Sequence, residues 1–255
     1  MRKTMRVLTA IACMAVFAGT ASGLDRPRPL KVGDKAPPVV ATWLSRVQGK
    51  DPSKADGKTK AYIVEFWATW CEPCLYVIPE LNNIHRNYAK RGVVVMGITD
   101  ESASQVRPFM QEHGMTYAVG VDRNDITWDG YMVGINRATI PHAVVVDGNG
   151  RVAWIGSPLD PETMTINAEM FNTMRRLVYG PETLKRIQDA EGRLAAALEK
   201  RDLDGALAAV NDLIRLQPDS LNWHDGKVYL LERKGAGERE IAAAKEARRR
   251  AAGEE

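Results

Sequence analysis

The sequence predicts an α/β protein, a central mixed sheet flanked by helices, followed by a small all-α region. Three observations carry that expectation. Two continuous β-prone runs, Tyr62–Trp67 and Val93–Ile98, are joined by a helical segment. Such a strand–helix–strand unit pairs its strands in parallel through a right-handed crossover, and continuous β-prone runs suit strands covered on both faces. A second pair of runs, Ala143–Val146 and Arg151–Ile155, flanks Asp147-Gly148-Asn149-Gly150, a hairpin signal that adds antiparallel strands. Beyond Gly180-Pro181 the strand-like runs stop, and Ala, Leu, Glu, Lys and Arg take over.

The 255-residue chain begins Met1-Arg2-Lys3-Thr4-Met5-Arg6, followed by an apolar stretch from Val7 to about Ala21 and by small residues around Ser22-Gly23. A basic start, a short apolar core and small residues make an export signal. The stretch falls short of the roughly 20 residues of a comfortable membrane span. Residues 1–23 are therefore expected to be cleaved near Gly23, leaving an exported, periplasmic or otherwise extracytoplasmic protein. Cys13 lies in the middle of the apolar run and not at its end, so it reads as a small apolar residue of the signal and not as a lipid attachment point. The formal net charge of +3 equals the contribution of Arg2, Lys3 and Arg6, so the mature protein is near neutral. Nothing in that balance calls for nucleic acid.

Residues 24–180 are expected to form the main domain. The stretch from 24 to about 60 is rich in Pro, Lys, Asp and Gly, an extended lead-in in which Ala36–Val40 would give an edge strand. A helix is expected from about Glu72 to Lys90, with Leu75, Ile78, Leu81, Ile84 and Tyr88 at helical spacing and a kink at Pro79. Residues 102–113 read as a helix, Tyr117–Val121 as a short strand and Thr127–Val133 as a helical turn. A helix over Pro161–Tyr179 closes the unit. Trp43, Trp128, Trp154 and Trp223 read as core or lid residues.

Residues 181–255 are expected to be helical, with segments at about 183–200, 203–217, 220–233 and 237–251. Leu194, Leu198, Leu203, Leu207, Val210, Leu213 and Leu216 form apolar stripes at helical spacing. Leu213-Ile214-Arg215-Leu216-Gln217-Pro218-Asp219, with Ala206, resembles the close of a tetratricopeptide repeat, without a clear second copy. A single repeat cannot bury its own face, so these helices should dock on the main domain or on a protein partner.

Loss of the export signal leaves two cysteines, Cys71 and Cys74. One close pair is not a disulfide-stapled scaffold and needs its own explanation. Trp70-Cys71-Glu72-Pro73-Cys74 lies where a buried strand hands over to a helix. There the free N–H groups and the helix dipole favour negative charge, so a Cys71 thiolate is stabilised. Pro73 suits a first helical turn, where a missing N–H costs nothing. Cys74, one turn on, faces inward and within bonding reach. Cys71 is then the exposed nucleophile, and Cys74 the resolving thiol that breaks a mixed disulfide. Glu72 opposes the thiolate and the dipole, which favours the disulfide-reducing direction. As metal ligands the two cysteines supply half a zinc site, or a copper(I) site. His85, His113, His142 and His224 offer no second ligand pair at metal spacing, His142 being the one candidate helper. No metal and no other cofactor is expected, and metal delivery stands as the rival reading.

Phe66-Trp67-Ala68-Thr69-Trp70-Cys71-Glu72-Pro73-Cys74, with Pro79 downstream, resembles the thioredoxin superfamily, and within it the exported TlpA/ResA-type disulfide reductases. Ala138-Thr139-Ile140-Pro141-His142-Ala143-Val144-Val145-Val146-Asp147, with Gly150 closing the turn, is similar to the segment that carries the cis-proline of that family. The resemblance spans roughly residues 32–175 and excludes the C-terminal helices. It implies a thioredoxin-like fold with Pro141 cis and packed against the dithiol. It also implies that Ile140 offers its backbone to a substrate strand, as strand addition requires. Glu65 stands where thioredoxins carry a buried acid, which would accept the Cys74 proton. The implied partners are protein substrates with disulfides or thiols, and a dithiol electron donor that is membrane-bound in such systems. A thiol peroxidase and an interaction protein acting through the helical tail are the remaining rivals.

Overall fold

The computed structural model describes residues 28–45, 52–53 and 57–254. The expected export signal and Cys13 lie outside the described residues. The main sheet takes β1 (Ala41–Trp43), β2 (Ala61–Phe66), β3 (Val93–Thr99), β4 (Ala118–Asp122), β5 (His142–Asp147) and β6 (Val152–Gly156), in the spatial order β1-β4-β3-β2-β5-β6. Strands β2, β3 and β4 run parallel, and β1, β5 and β6 join antiparallel to their neighbours. Helix α1 (Cys74–Tyr88) crosses from β2 to β3, α2 (Ala103–Glu112) from β3 to β4, and the short α3 (Ile126–Tyr131) follows β4. This is the expected mixed sheet with flanking helices. Its two central strands are mostly apolar because both faces are covered: Ile63, Val64, Phe66, Val95, Met96 and Ile98 are all buried, and Glu65 is buried among them.

Three boundaries differ from expectation. The edge strand lies at Ala41–Trp43 and not at Ala36–Val40, because Pro37 and Pro38 have no N–H to give to a ladder; only Lys35 makes an isolated bridge, to Arg151. Helix α1 starts at Cys74 and not at Glu72, since residues 71–73 form a tighter turn in which Cys74 N donates to Cys71 O at 3.1 Å. The helix runs on through Pro79. It ends in a short 3-10 turn at Gly92, whose φ of +87° suits glycine and where a Cβ would stand 2.6 Å from Lys58 O. The helix expected from Pro161 begins only at Ala168. Residues 159–166 form a small hairpin, β7 (Leu159–Asp160) with β8 (Thr165–Ile166), whose turn is held by Asp160 Oδ1 accepting from Glu162 N at 2.9 Å. Asn167 then caps α4 (Ala168–Tyr179), accepting from the N–H groups of Glu169 and Met170.

Beyond Gly180 come four helices, α5 (Pro181–Glu199), α6 (Leu203–Leu216), α7 (Leu221–Lys234) and α8 (Glu238–Ala252). Leu207, Val210, Leu230, Leu231 and Ala244 form their own apolar cluster. Leu198, expected in the apolar stripe, is exposed. The buried side of α5 runs Leu184, Ile187, Ala190 and Ala197; Leu198 shares the angular position of Ile187 and Leu184 but stands in the last turn, one residue before the helix ends at Glu199. The expected docking falls on the main domain, around the C-terminal end of α1. Asn87 Oδ1 accepts from Ser220 Oγ and Asn222 N, each at 3.3 Å. Arg91 pairs with Asp219 at 3.4 Å, and Tyr179 OH donates to Gln217 Oε1 at 3.2 Å. Trp128 and Trp154 are buried, while Trp43 and Trp223 pack half-buried against the apolar clusters.

Candidate active site

Strand register brings the site together. β2 and β3 are parallel, with Phe66 opposite Ile98, so the segments leaving their C-terminal ends emerge at one edge of the sheet. Antiparallel β5 begins at that same edge, with His142 opposite Phe66. The dithiol turn after β2, the Asp100-Glu101 pair after β3 and the Ile140-Pro141 segment before β5 are therefore neighbours, at the carboxyl end of the parallel strands where crevices form in such sheets.

Cys71 and Cys74 are joined as a disulfide with a Cα–Cα distance of 5.3 Å. The turn is closed by Cys71 N donating to Ala68 O at 3.1 Å. Cys71 differs from its expected exposure: in this oxidised form it is only 3% exposed, against 1% for Cys74. Its sulfur is tied to the inward-facing Cys74, so bonding draws it into the turn. The rim around it is exposed instead, in Trp70, Glu72 and Pro73, with Trp70 63% exposed. Pro73 occupies the position just ahead of α1. The Ile140–Pro141 peptide bond is cis, and both residues are buried.

Glu65 lies beneath this edge, 1% exposed, between Gly97 of β3 and Ala143 of β5. Burial pushes its carboxyl up to about 8. Its Oε2, the Trp67 Nε1 and the Tyr117 hydroxyl are all buried without a hydrogen-bond partner among the described residues. Gly97 is what lets them gather, because a Cβ there would come within 3.0 Å of both Trp67 Nε1 and the Tyr117 ring. Burial, and then the Glu65 charge, holds the Tyr117 phenol well above its ordinary value. His142 is buried in β5, and desolvation lowers its imidazole below the usual histidine range.

Sequence reasoning missed Thr69, Glu101, Tyr117 and Arg137. Glu101 Oε2 accepts from Thr69 N, and its Oε1 from Thr69 Oγ1, both at 2.6 Å. Arg137 binds Asp100, pairs with Asp125 at 3.1 Å and lies 4.8 Å over the Trp128 ring. One signal was available for the acids: they directly follow a buried parallel strand, where sites concentrate. Nothing local marks Tyr117, whose role comes from the strand pairing. Among the described residues no group of three or more His, Cys, Asp and Glu side chains is placed to hold a metal ion.

Residues 32–155 match the AhpC/TSA family. The thiol-disulfide oxidoreductase ResA of Geobacillus kaustophilus is 32% identical over 157 residues, covering 60% of this chain and 86% of that protein. ResA of Geobacillus thermodenitrificans is 29% identical over 154 residues, covering 59% and 84%. ResA of Bacillus anthracis is 30% identical over 124 residues, covering 48% and 68%. The family match ends at residue 155, ahead of α4 and all four C-terminal helices.

Proposed function

Because the chain belongs to the ResA-like thiol–disulfide oxidoreductases of the thioredoxin superfamily, we propose that it reduces disulfides of exported proteins through nucleophilic Cys71 and resolving Cys74. The Cys71 thiolate attacks a substrate disulfide, forming a mixed disulfide and releasing one substrate thiolate. The Cys74 thiolate then attacks the Cys71 sulfur, which frees the second substrate thiol and leaves Cys71–Cys74 oxidised. Two electrons pass to the substrate, and a dithiol donor held at the membrane returns two to the protein. The observation that carries the reading is the Cys71–Cys74 disulfide at the start of α1, at the sheet edge that also holds the cis Ile140–Pro141 bond. Glu65, buried under that edge, takes the Cys74 proton before resolution. Ile140 offers its backbone to an extended substrate segment.

The reducing direction is supported by Glu72, an exposed carboxylate at the N-terminal end of α1 that disfavours the thiolate and with it the reduced form. Location outside the cytoplasm is supported by the basic and apolar start of the chain; no described helix is long and apolar enough to cross a membrane. The wild-type chain should accelerate insulin reduction by dithiothreitol, and Cys71→Ser should abolish the effect. Cys74→Ser should accumulate mixed disulfides, which identify the substrates when trapped in cells. A reduction potential near that of strong disulfide oxidants, about −120 mV, would overturn the reductase direction.

A further inference from the structure

Two irregular segments build the proposed cleft: the dithiol turn between β2 and α1, and the stretch between α3 and β5 that ends in Ile140-Pro141. Neither has a sheet ladder to fix it, and both are held from one place. Glu101 grips the dithiol turn with both carboxylate oxygens, taking the N–H and the hydroxyl of Thr69, two residues ahead of Cys71, at 2.6 Å each. Thr99 braces Glu101 in turn, its Oγ1 accepting from Glu101 N at 3.3 Å. The adjacent Asp100 reaches the other way and binds Arg137, three residues ahead of Ile140. Arg137 is fixed further by Asp125 at 3.1 Å and by the face of Trp128. The short stretch after it is turned by Asn136, whose backbone O accepts from Thr139 N at 2.8 Å. Charge-assisted bonds of this kind are the short, strong ones.

Resting on the proposed reduction of protein disulfides, we infer that Asp100 and Glu101 are positioning residues that lock the dithiol turn and the cis-proline segment into one cleft for protein substrates. Both acids emerge from the end of β3, whose register against β2 is fixed, so the spacing between Cys71 and Ile140 is set through a single rigid strand. A protein disulfide must meet both sides at once, its sulfur at Cys71 and its backbone at Ile140. A small disulfide meets only the sulfur. Loosening either grip therefore penalises protein substrates selectively, since a misplacement of about 1 Å costs up to about a hundredfold in rate.

The test compares, in the full-length chain, kcat/KM for insulin reduction with the second-order rate constant of the reduced protein toward 5,5′-dithiobis(2-nitrobenzoate). The ratio of the two cancels any loss of folded protein, which a merely structural role would produce in both. Glu101→Gln, Arg137→Gln and Thr69→Val should each lower the ratio about tenfold, whereas Thr69→Ser, which keeps the hydroxyl, should restore it. Ratios within about twofold of wild type in all three disruptive variants, with an active wild type, would overturn this inference alone. A wild-type chain that fails to accelerate insulin reduction would overturn the reading beneath it, and this inference with it.

Discussion

In the proposed exchange, Glu65 ties the acid–base chemistry of the site to the stability of the fold. With its carboxyl pushed up to about 8 in the folded chain from an ordinary 4.5, the folded state keeps a proton that the unfolded chain releases. The penalty is absent below about pH 4.5, grows as pH rises, and is complete above about pH 8. Glu65→Gln should therefore be more stable than wild type at pH 9, by something on the order of 4 kcal/mol, and nearly equal to it at pH 4. Urea unfolding of the oxidised protein at the two pH values measures this, and equal gains at both would remove Glu65 from its assigned environment. The same substitution should slow resolution of the mixed disulfide. In wild type that step should speed up as pH rises through about 8, and the variant should lose this limb and run about tenfold to a hundredfold slower above it. Stopped-flow release of the second thiol reports the step.

At the scale of elements, the N-terminal end of α1 bears on the proposed direction of electron flow through the charge at Glu72. The helix begins at Cys74, and the exposed Glu72 sits in the turn that leads into it. Glu72→Lys replaces a charge that opposes the thiolate with one that favours it. Stabilising the reduced form raises the potential, so the variant should be more oxidising by about 20 mV at low ionic strength, with the difference shrinking in salt. Equilibration against a glutathione buffer measures it. A potential that stays put or moves down would show that Glu72 does not tune the pair.

The molecule as a whole places its two working ends at opposite ends of α1. The dithiol is at the N-terminus, and the C-terminal helices grip residues 87–91, about 20 Å away along the axis. That leaves the dithiol edge to substrates while the helices cover the far end of the domain. Asn87 is the buried hinge of the contact, 4% exposed, serving Ser220 and Asn222 with one oxygen and Asn83 with its amide nitrogen. Asn87→Leu strands the buried Ser220 hydroxyl and the Asn222 N–H, so it should cost about 1–3 kcal/mol. Hydrogen exchange should show α7 as the element most deprotected. A change under about 0.5 kcal/mol would mean that apolar contacts alone hold the helical region in place.

How much of this was legible depended on range. The buried strands, the dithiol helix and the Asp147–Gly150 hairpin show in local periodicity, because a strand covered on both faces or a helix with one apolar face leaves its period in the residues themselves. The dithiol and the proline segment are recognisable for the same reason, as short contiguous motifs. Boundaries went astray where a side chain competed with the pattern, as Asn167 does in delaying α4 and as Pro37 and Pro38 do in shifting the edge strand. The gathering of Glu65, Trp67 and Tyr117 around Gly97, and the grip of Asp100 and Glu101 on two loops, depend on which strands lie side by side and in what register. Those contacts join residues up to 52 positions apart in the sequence, so only the folded sheet decides them, whereas the sulfur chemistry at Cys71 and Cys74 is written within four consecutive residues.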